Sequence, residues 1–229
     1  MSIKRKQLMF IGVISVIFII YRKPAVAQQN IAQLMAERGL AKIITPAARK
    51  NIRADIETVI KEYDSAGNSK KPKKQNERLS GELELNGIKI GYLYQTLANR
   101  KIFFIDEQNS AAVIDGTSYA IIKFRPKENL HIQRIADQFI NRTTGSVYVN
   151  LDNMSISKIE GSIEEPFHFN YTLIFFPIGV DVYRFSFLVE YAPFEDVFVE
   201  KTLNGLADYE IRKRGTKEYF NQITNYRRK

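Results

Sequence analysis

The chain has no cysteine and no tryptophan, and only two of its 229 residues are histidine. Without cysteine there is no disulfide framework, no thiolate metal site and no cysteine nucleophile. A lipobox cysteine for lipid attachment is excluded on the same ground. Two histidines, His131 and His168, are too few for a multi-histidine metal centre. The catalytic signatures G-x-S-x-G, H-E-x-x-H and the Walker-type glycine-lysine loop are missing as well. Glu164-Glu165 and Asp106-Glu107 are adjacent pairs, and in extended chain adjacent side chains point to opposite faces instead of converging. These absences lead to the expectation of a non-enzymatic protein with no catalytic residue, no cofactor and no metal.

What is present is apolar. Hydrophobic residues make up 45% of the chain, which excludes intrinsic disorder and supports a substantial core. The formal charge of +9 is concentrated at the N-terminus, where residues 1–27 hold five basic residues and no acidic one. Taking those five from 34 leaves 29 basic against 25 acidic residues, a balance of +4. That is no nucleic-acid footprint. Lys4, Arg5 and Lys6 precede an apolar run from Leu8 to Ile20. As a helix this run spans about 20 Å, short of the ~30 Å hydrocarbon core. Pro24 and Ala25-Val26-Ala27 follow, and the proline is expected to present this A-x-A pattern to a signal peptidase in extended form. Residues 1–27 thus read as a signal peptide, with a short N-terminal anchor in the inner membrane as the alternative, favoured by Arg22 and Lys23. Either way the protein is expected in the periplasm or cell envelope.

Residues 28–50 read as a helix and linker. Asn30 is a good N-cap, Ile31, Leu34 and Met35 share a face, and Gly39 marks the C-terminal region. From Asn51 onward period-2 alternation takes over, and residues 51–229 read as one β-rich domain. Asp64–Asn68, Asn86-Gly87, Asp115-Gly116, Asp152-Asn153 and Asn204-Gly205 carry turn chemistry. Lys70, Lys71, Lys73 and Lys74 fall in a hairpin connection, either as a solvated tip or as a contact for an anionic membrane surface. Glu128–Arg142 breaks the rhythm, because Ile132, Ile135, Ala136, Phe139 and Ile140 keep helical spacing. The expected fold is mainly β: a curved antiparallel sheet or half-open β-barrel of about 10–11 strands, with two short helices on its concave side.

Two strands have broad aromatic faces. Phe167, Phe169, Tyr171, Leu173 and Phe175 alternate on one, and Tyr183, Phe185, Phe187, Val189 and Tyr191 on the next. Such faces are either ordinary core or the lining of an apolar cavity for acyl chains. Two short helices are little cover for one face of so wide a sheet, which favours the cavity. Ile132, Ile135 and Phe139 are then the candidates for a helical plug.

Several segments have the order of a known family. Gly116 to Pro126, a helix, Thr144-Gly145-Ser-Val147-Tyr-Val149-Asn, Ser157-Lys-Ile159-Glu160-Gly161 and Glu165-Pro166-Phe167-His-Phe169 succeed one another, with Lys61–Gly67 at the first turn. Over about residues 50 to 220 the chain resembles bacterial exported proteins of the outer-membrane lipoprotein-sorting (LolA-like) type. It departs from them at Tyr148, where a tryptophan is common, and in a shorter stretch between Tyr94 and Ala111. The resemblance implies a half-barrel around a helical plug and carries over no catalytic residue. It also implies a periplasmic carrier of lipid or of lipoprotein acyl chains. The alternative it leaves is an envelope scaffold or stress-sensing regulatory module with a filled interior, using the same fold for protein contacts.

Overall fold

Strand-forming alternation gives twelve strands among the described residues; two helices precede the first strand and a third lies between the sixth and seventh. The computed structural model describes residues 25–79, 84–85, 88–89, 102–128, 130–132, 134–173 and 176–229. The basic and apolar N-terminal run, Asn86-Gly87, Tyr94 and Phe175 lie outside the described residues. Helices are α1 (Ala25–Lys42), α2 (Pro46–Arg49) and α3 (Ile135–Ile140). Strands are β1 (Ile52–Tyr63), β2 (Lys73–Leu79), β3 (Glu84–Leu85), β4 (Ile88–Lys89), β5 (Ile102–Ile114) and β6 (Thr117–Pro126). They continue with β7 (Thr143–Asn150), β8 (Ile156–Ile163), β9 (Phe167–Leu173), β10 (Phe176–Phe194), β11 (Val197–Glu210) and β12 (Arg214–Arg228).

Ten strands form one antiparallel sheet in the order β2-β1-β12-β11-β10-β8-β7-β6-β5, with β9 beside the first half of β10. The order ends at β2 and β5 without closing, so the sheet is open. β3 and β4 pair separately, Glu84 opposite Lys89 and Leu85 opposite Ile88. Phe104, Ile122, Val147, Ile159, Phe187, Val189, Leu203 and Ile223, drawn from seven strands, join Ala32, Ala36 and Leu40 of α1 in a single core. Residues 28–50 are therefore part of the same packed unit as the sheet.

Local details differ from the sequence expectation in four places. α1 begins at Ala25, so Ala25-Val26-Ala27 is helical and not extended. Asn30 therefore lies inside the helix and is not its N-cap, whereas Gly39 does lie in the last turn, where a Cβ would stand 2.7 Å from Ile156 Cγ1 of β8. The second helix is only six residues long, because the Asp137 carboxylate accepts from the Arg134 backbone N–H at 2.9 Å and fixes the helix start there. A third helix, α2, was not expected from the sequence; Thr45 caps it by accepting from Ala48 N at 3.2 Å. Asn204-Gly205 is no turn but the middle of β11, and the chain reverses instead at 211–213. Gly205 sits directly opposite Phe187, in a row that crosses the sheet as Phe124, Gly145, Gly161, Phe187, Gly205 and Tyr219. The Phe124 ring covers Gly145 and the Phe187 ring covers Gly161, where an added Cβ would meet ring carbons at 2.7 and 2.8 Å. Glycine in strand interiors is thus used for close approach.

The N-terminal segment is locked to the sheet by charge. Arg49 of α2 pairs with Glu200 of β11, with side chains only 6% and 3% exposed. Burial opposes the arginine's charge, but the Glu200 carboxylate more than offsets this and raises its pKa. The Tyr226 hydroxyl donates to the Glu200 carbonyl at 2.6 Å, and burial, reinforced by the Glu200 charge, pushes that phenol up. Ile44 N donates to Phe198 O at 2.9 Å, extending the contact along β11.

Two stability predictions follow from these contacts. Arg49→Ala leaves a buried carboxylate without its partner and should cost about 3–5 kcal/mol by urea denaturation; a loss below about 1 kcal/mol would mean that Glu200 is solvated. Gly145→Ala drives a methyl into the Glu160 carbonyl oxygen and should cost about 1–3 kcal/mol or more, whereas a neutral result would show that the strands have room to part.

Candidate functional site

The two faces of the sheet are chemically different. On the inner face, Phe139 of α3 packs edge-on against Phe167 and Phe169, with ring centroids 5.5 and 5.9 Å away, and lies 4.9 Å from Phe185. Phe169, Phe185, Phe187, Val189 and Tyr191 are buried, and Phe167 and Tyr171 pack against them partly exposed. Tyr183 leaves this group. The register slips between Val182 and Arg184, so the buried phase runs Val180, Val182 and then Phe185. Tyr183 instead donates its hydroxyl to Glu210 at 3.0 Å and lies under the Arg214 guanidinium, 3.9 Å from its ring centre. Leu173 holds its place in β9, its side chain being outside the described residues. Of the plug candidates only Phe139 packs on the aromatics. Ile132 and Ile135 are 41% and 52% exposed.

The large open surface lies on the other face. A trough of about 1190 Å³ crosses β6 to β12 along the glycine row. Two lines of directly opposed residues make its floor. One is Lys123, Ser146, Glu160, Leu188, Asn204 and Phe220. The other is Thr144, Ser162, Ser186, Leu206 and Glu218. The Glu164-Glu165-Pro166 corner, Arg142 and Phe167 rim one side. A smaller hollow of about 240 Å³ continues it past Phe220 to Val59 and Glu57 of β1. Of the aromatic-face candidates whose side chains are described, only Phe167 and Phe187 reach the trough. Its own residues are the complement of the core alternation, and the signal for them was three glycines inside strands (Gly145, Gly161 and Gly205).

The floor is polar near β6–β8, and near β10–β12 it sets Leu188, Leu206 and Phe220 among Ser186, Asn204 and Glu218. Lys123 Nζ donates to the buried Ser146 hydroxyl at 3.0 Å. Glu160 accepts from the Tyr148 hydroxyl at 2.7 Å and pairs with Lys158 at 3.2 Å. Arg142 lies over the Phe167 ring at 4.5 Å and donates to the Gln138 carbonyl at 2.8 Å. Beyond the trough, Asp208 is buried between Arg214 and Arg184, at 2.9 and 3.2 Å, and those two guanidinium groups hold its carboxyl below the usual range. Among the described residues no group of three potential metal ligands converges. No helix among them is long and apolar enough to cross a membrane.

The lysine cluster is half committed within the protein. Lys70 and Lys73 pair with Glu62 at 3.2 and 3.1 Å, and Lys217 approaches the same carboxylate at 3.9 Å. Lys71 and Lys74 are exposed. His131 is exposed. His168 on β9 hydrogen-bonds Asp181 Oδ1 through Nδ1 at 2.8 Å and contacts Asn170 at 3.3 Å.

No family model and no curated relative matches the chain. Solved structures of similar shape include a DUF1329 family protein from Desulfovibrio piger, 9% identical at a TM-score of 0.39 over 90% of this chain and 93% of that one. MucB in complex with MucA(peri) is 8% identical at a TM-score of 0.23, covering 90% of this chain and 99% of that one. The Pseudomonas aeruginosa MucA/MucB complex gives 8% and 0.26, with 86% and 99% covered. Likeness at this level reaches neither site nor function, and it leaves the lipoprotein-sorting resemblance resting on its motifs.

The hydrogen bond to Asp181 raises the His168 pKa above its ordinary value of 6.5. A raised pKa adds stability that is fully present below 6.5 and is lost as pH rises through the folded value. Asp181→Asn should bring the His168 NMR titration midpoint back down toward that value. An unmoved midpoint would mean that another group holds the proton.

Proposed function

We propose that this is a non-enzymatic binding protein of the cell envelope, which holds an extended segment of a partner protein in the trough on the outer face of its sheet. The observation that carries this reading is the packing of Phe139 among Phe167, Phe169 and Phe185. That packing occupies the face an acyl chain would need. Burial of a chain contributes ~0.8 kcal/mol per CH₂ only where apolar surface is open to receive it. The trough offers something else. Its hydroxyls at Thr144, Ser162 and Ser186 suit backbone amides and carbonyls. Leu188, Leu206 and Phe220 suit apolar side chains, and Lys123, Glu160, Glu164 and Glu165 present both signs of charge. From β6 to β12 is five strand spacings of ~4.8 Å, or about 24 Å, the length of roughly seven extended residues. Assignment to the envelope rests on the basic, apolar and small-residue order of residues 1–27.

A fluorescent fatty-acyl probe and a melting curve, applied to the parent and to Phe185→Glu, test the reading. The expected result is no saturable probe binding by the parent and a variant destabilised by several kcal/mol, because a carboxylate is buried without a partner. Saturable binding by the parent, abolished in a variant that melts unchanged, would restore the acyl-carrier reading and refute this one.

A further inference from the structure

The sheet guards two of its edges, and a third has no such guard among the described residues. β2 and β5 end the strand order, and β9 has β10 as its one partner among the described residues. β2 carries Lys73, Lys74, Glu77 and Arg78 within seven residues. β5 contains Asp106 and Glu107, and its register with β6 is broken between Ile105 and Ser110. Charges and irregularities of this kind keep an edge from pairing with another chain. β9 has neither. Phe167-His-Phe-Asn-Tyr-Thr-Leu173 contains no Asp, Glu, Lys or Arg and no proline, and it pairs with β10 through seven residues without a slip.

We infer that β9 is a dimerisation edge, pairing antiparallel with β9 of a second copy of this chain about a two-fold axis through Asn170. That register pairs all seven residues. It sets Phe169 beside Tyr171 of the second copy on the inner face, and His168 beside Thr172 of the second copy on the outer face. A slip of one residue would oppose the aromatic positions to the polar ones, so the parity of the alternation selects it. The contact is isologous, the form closed dimers take. No Asp, Glu, Lys or Arg lies on the strand to repel its copy, and His168 is set beside the uncharged Thr172 of that copy. The apolar surface beside the edge supports the same occupant. Phe139 of α3 rests on Phe167 and Phe169, while Ile135, one turn earlier on the same helix face, and Ile132 are about half exposed. A strand pair with two such side chains is small against the ~1,200 Å² of a stable interface, so the dimer is expected in the micromolar range.

The absence of cysteine makes a direct test available. Directly opposed residues of antiparallel strands have Cα atoms ~4.5–5.5 Å apart, within the span of a disulfide. Asn170→Cys should therefore form a disulfide-linked dimer on mild oxidation at about 50 µM protein, where association is expected. Lys201→Cys, exposed on β11, should not. Sedimentation equilibrium should give a dimer for the parent and a monomer for Asn170→Lys, with circular dichroism and melting unchanged. Thr172→Lys, also exposed, repeats the test if the first variant misfolds. A monomeric parent over about 1–200 µM, a range chosen to bracket such an affinity, overturns the inference. So does Asn170→Cys cross-linking no faster than Lys201→Cys. In either case the edge is left to a strand from a different protein.

Discussion

Gly39 brings α1 so near β8 that a Cβ at that position would stand 2.7 Å from Ile156 Cγ1, and Ala32, Ala36 and Leu40 then enter the same core as residues of seven strands. An open antiparallel sheet of this width exposes a large apolar face unless something lies close against it. A helix with bulkier residues at these positions would stand off from the sheet and leave a void. The small-residue stripe of α1 covers one part of the inner face, and Phe139 of α3 covers the aromatic part. The buried Arg49–Glu200 pair and the Ile44–Phe198 hydrogen bond hold the end of α1 in place. This packing on the inner face is the constraint on which the rest of the structure depends.

On the proposed reading, the surface that interacts is the outer one. The row Gly145, Gly161 and Gly205 lets Phe124 and Phe187 lie flat across their neighbours on the inside, and on the outside the same row marks the trough. One set of residues thus serves packing on one face and access on the other. The floor mixes hydroxyl, amide, charged and apolar groups. Glu160 within it is engaged by Tyr148 and Lys158.

Much of the architecture was legible from alternation. The open antiparallel sheet, the turns at Asp64–Asn68 and Asp115-Gly116, and the burial of Phe185, Phe187, Val189 and Tyr191 all come from period-2 patterning. Other features were set by contacts distant in sequence. Asn204-Gly205 has the composition of a turn, but the opposing Phe187 makes Gly205 a strand residue. Tyr183 fell out of phase through a single bulge, which alternation cannot register. The short α3 was hidden because apolar spacing over Glu128–Arg142 says nothing of where Asp137 caps. The trough was hidden for a related reason: its residues are those that the core pattern leaves over, and only a sheet with known register puts them side by side.

Native mass spectrometry of the protein, released gently from the cells that make it, tests the closed inner face most directly. A core filled as proposed leaves no space for a chain of a dozen or more carbons, so the account predicts the mass of the polypeptide alone, as monomer or dimer. A stoichiometric adduct with the mass of a phospholipid or fatty acid, retained through buffer exchange, would contradict it.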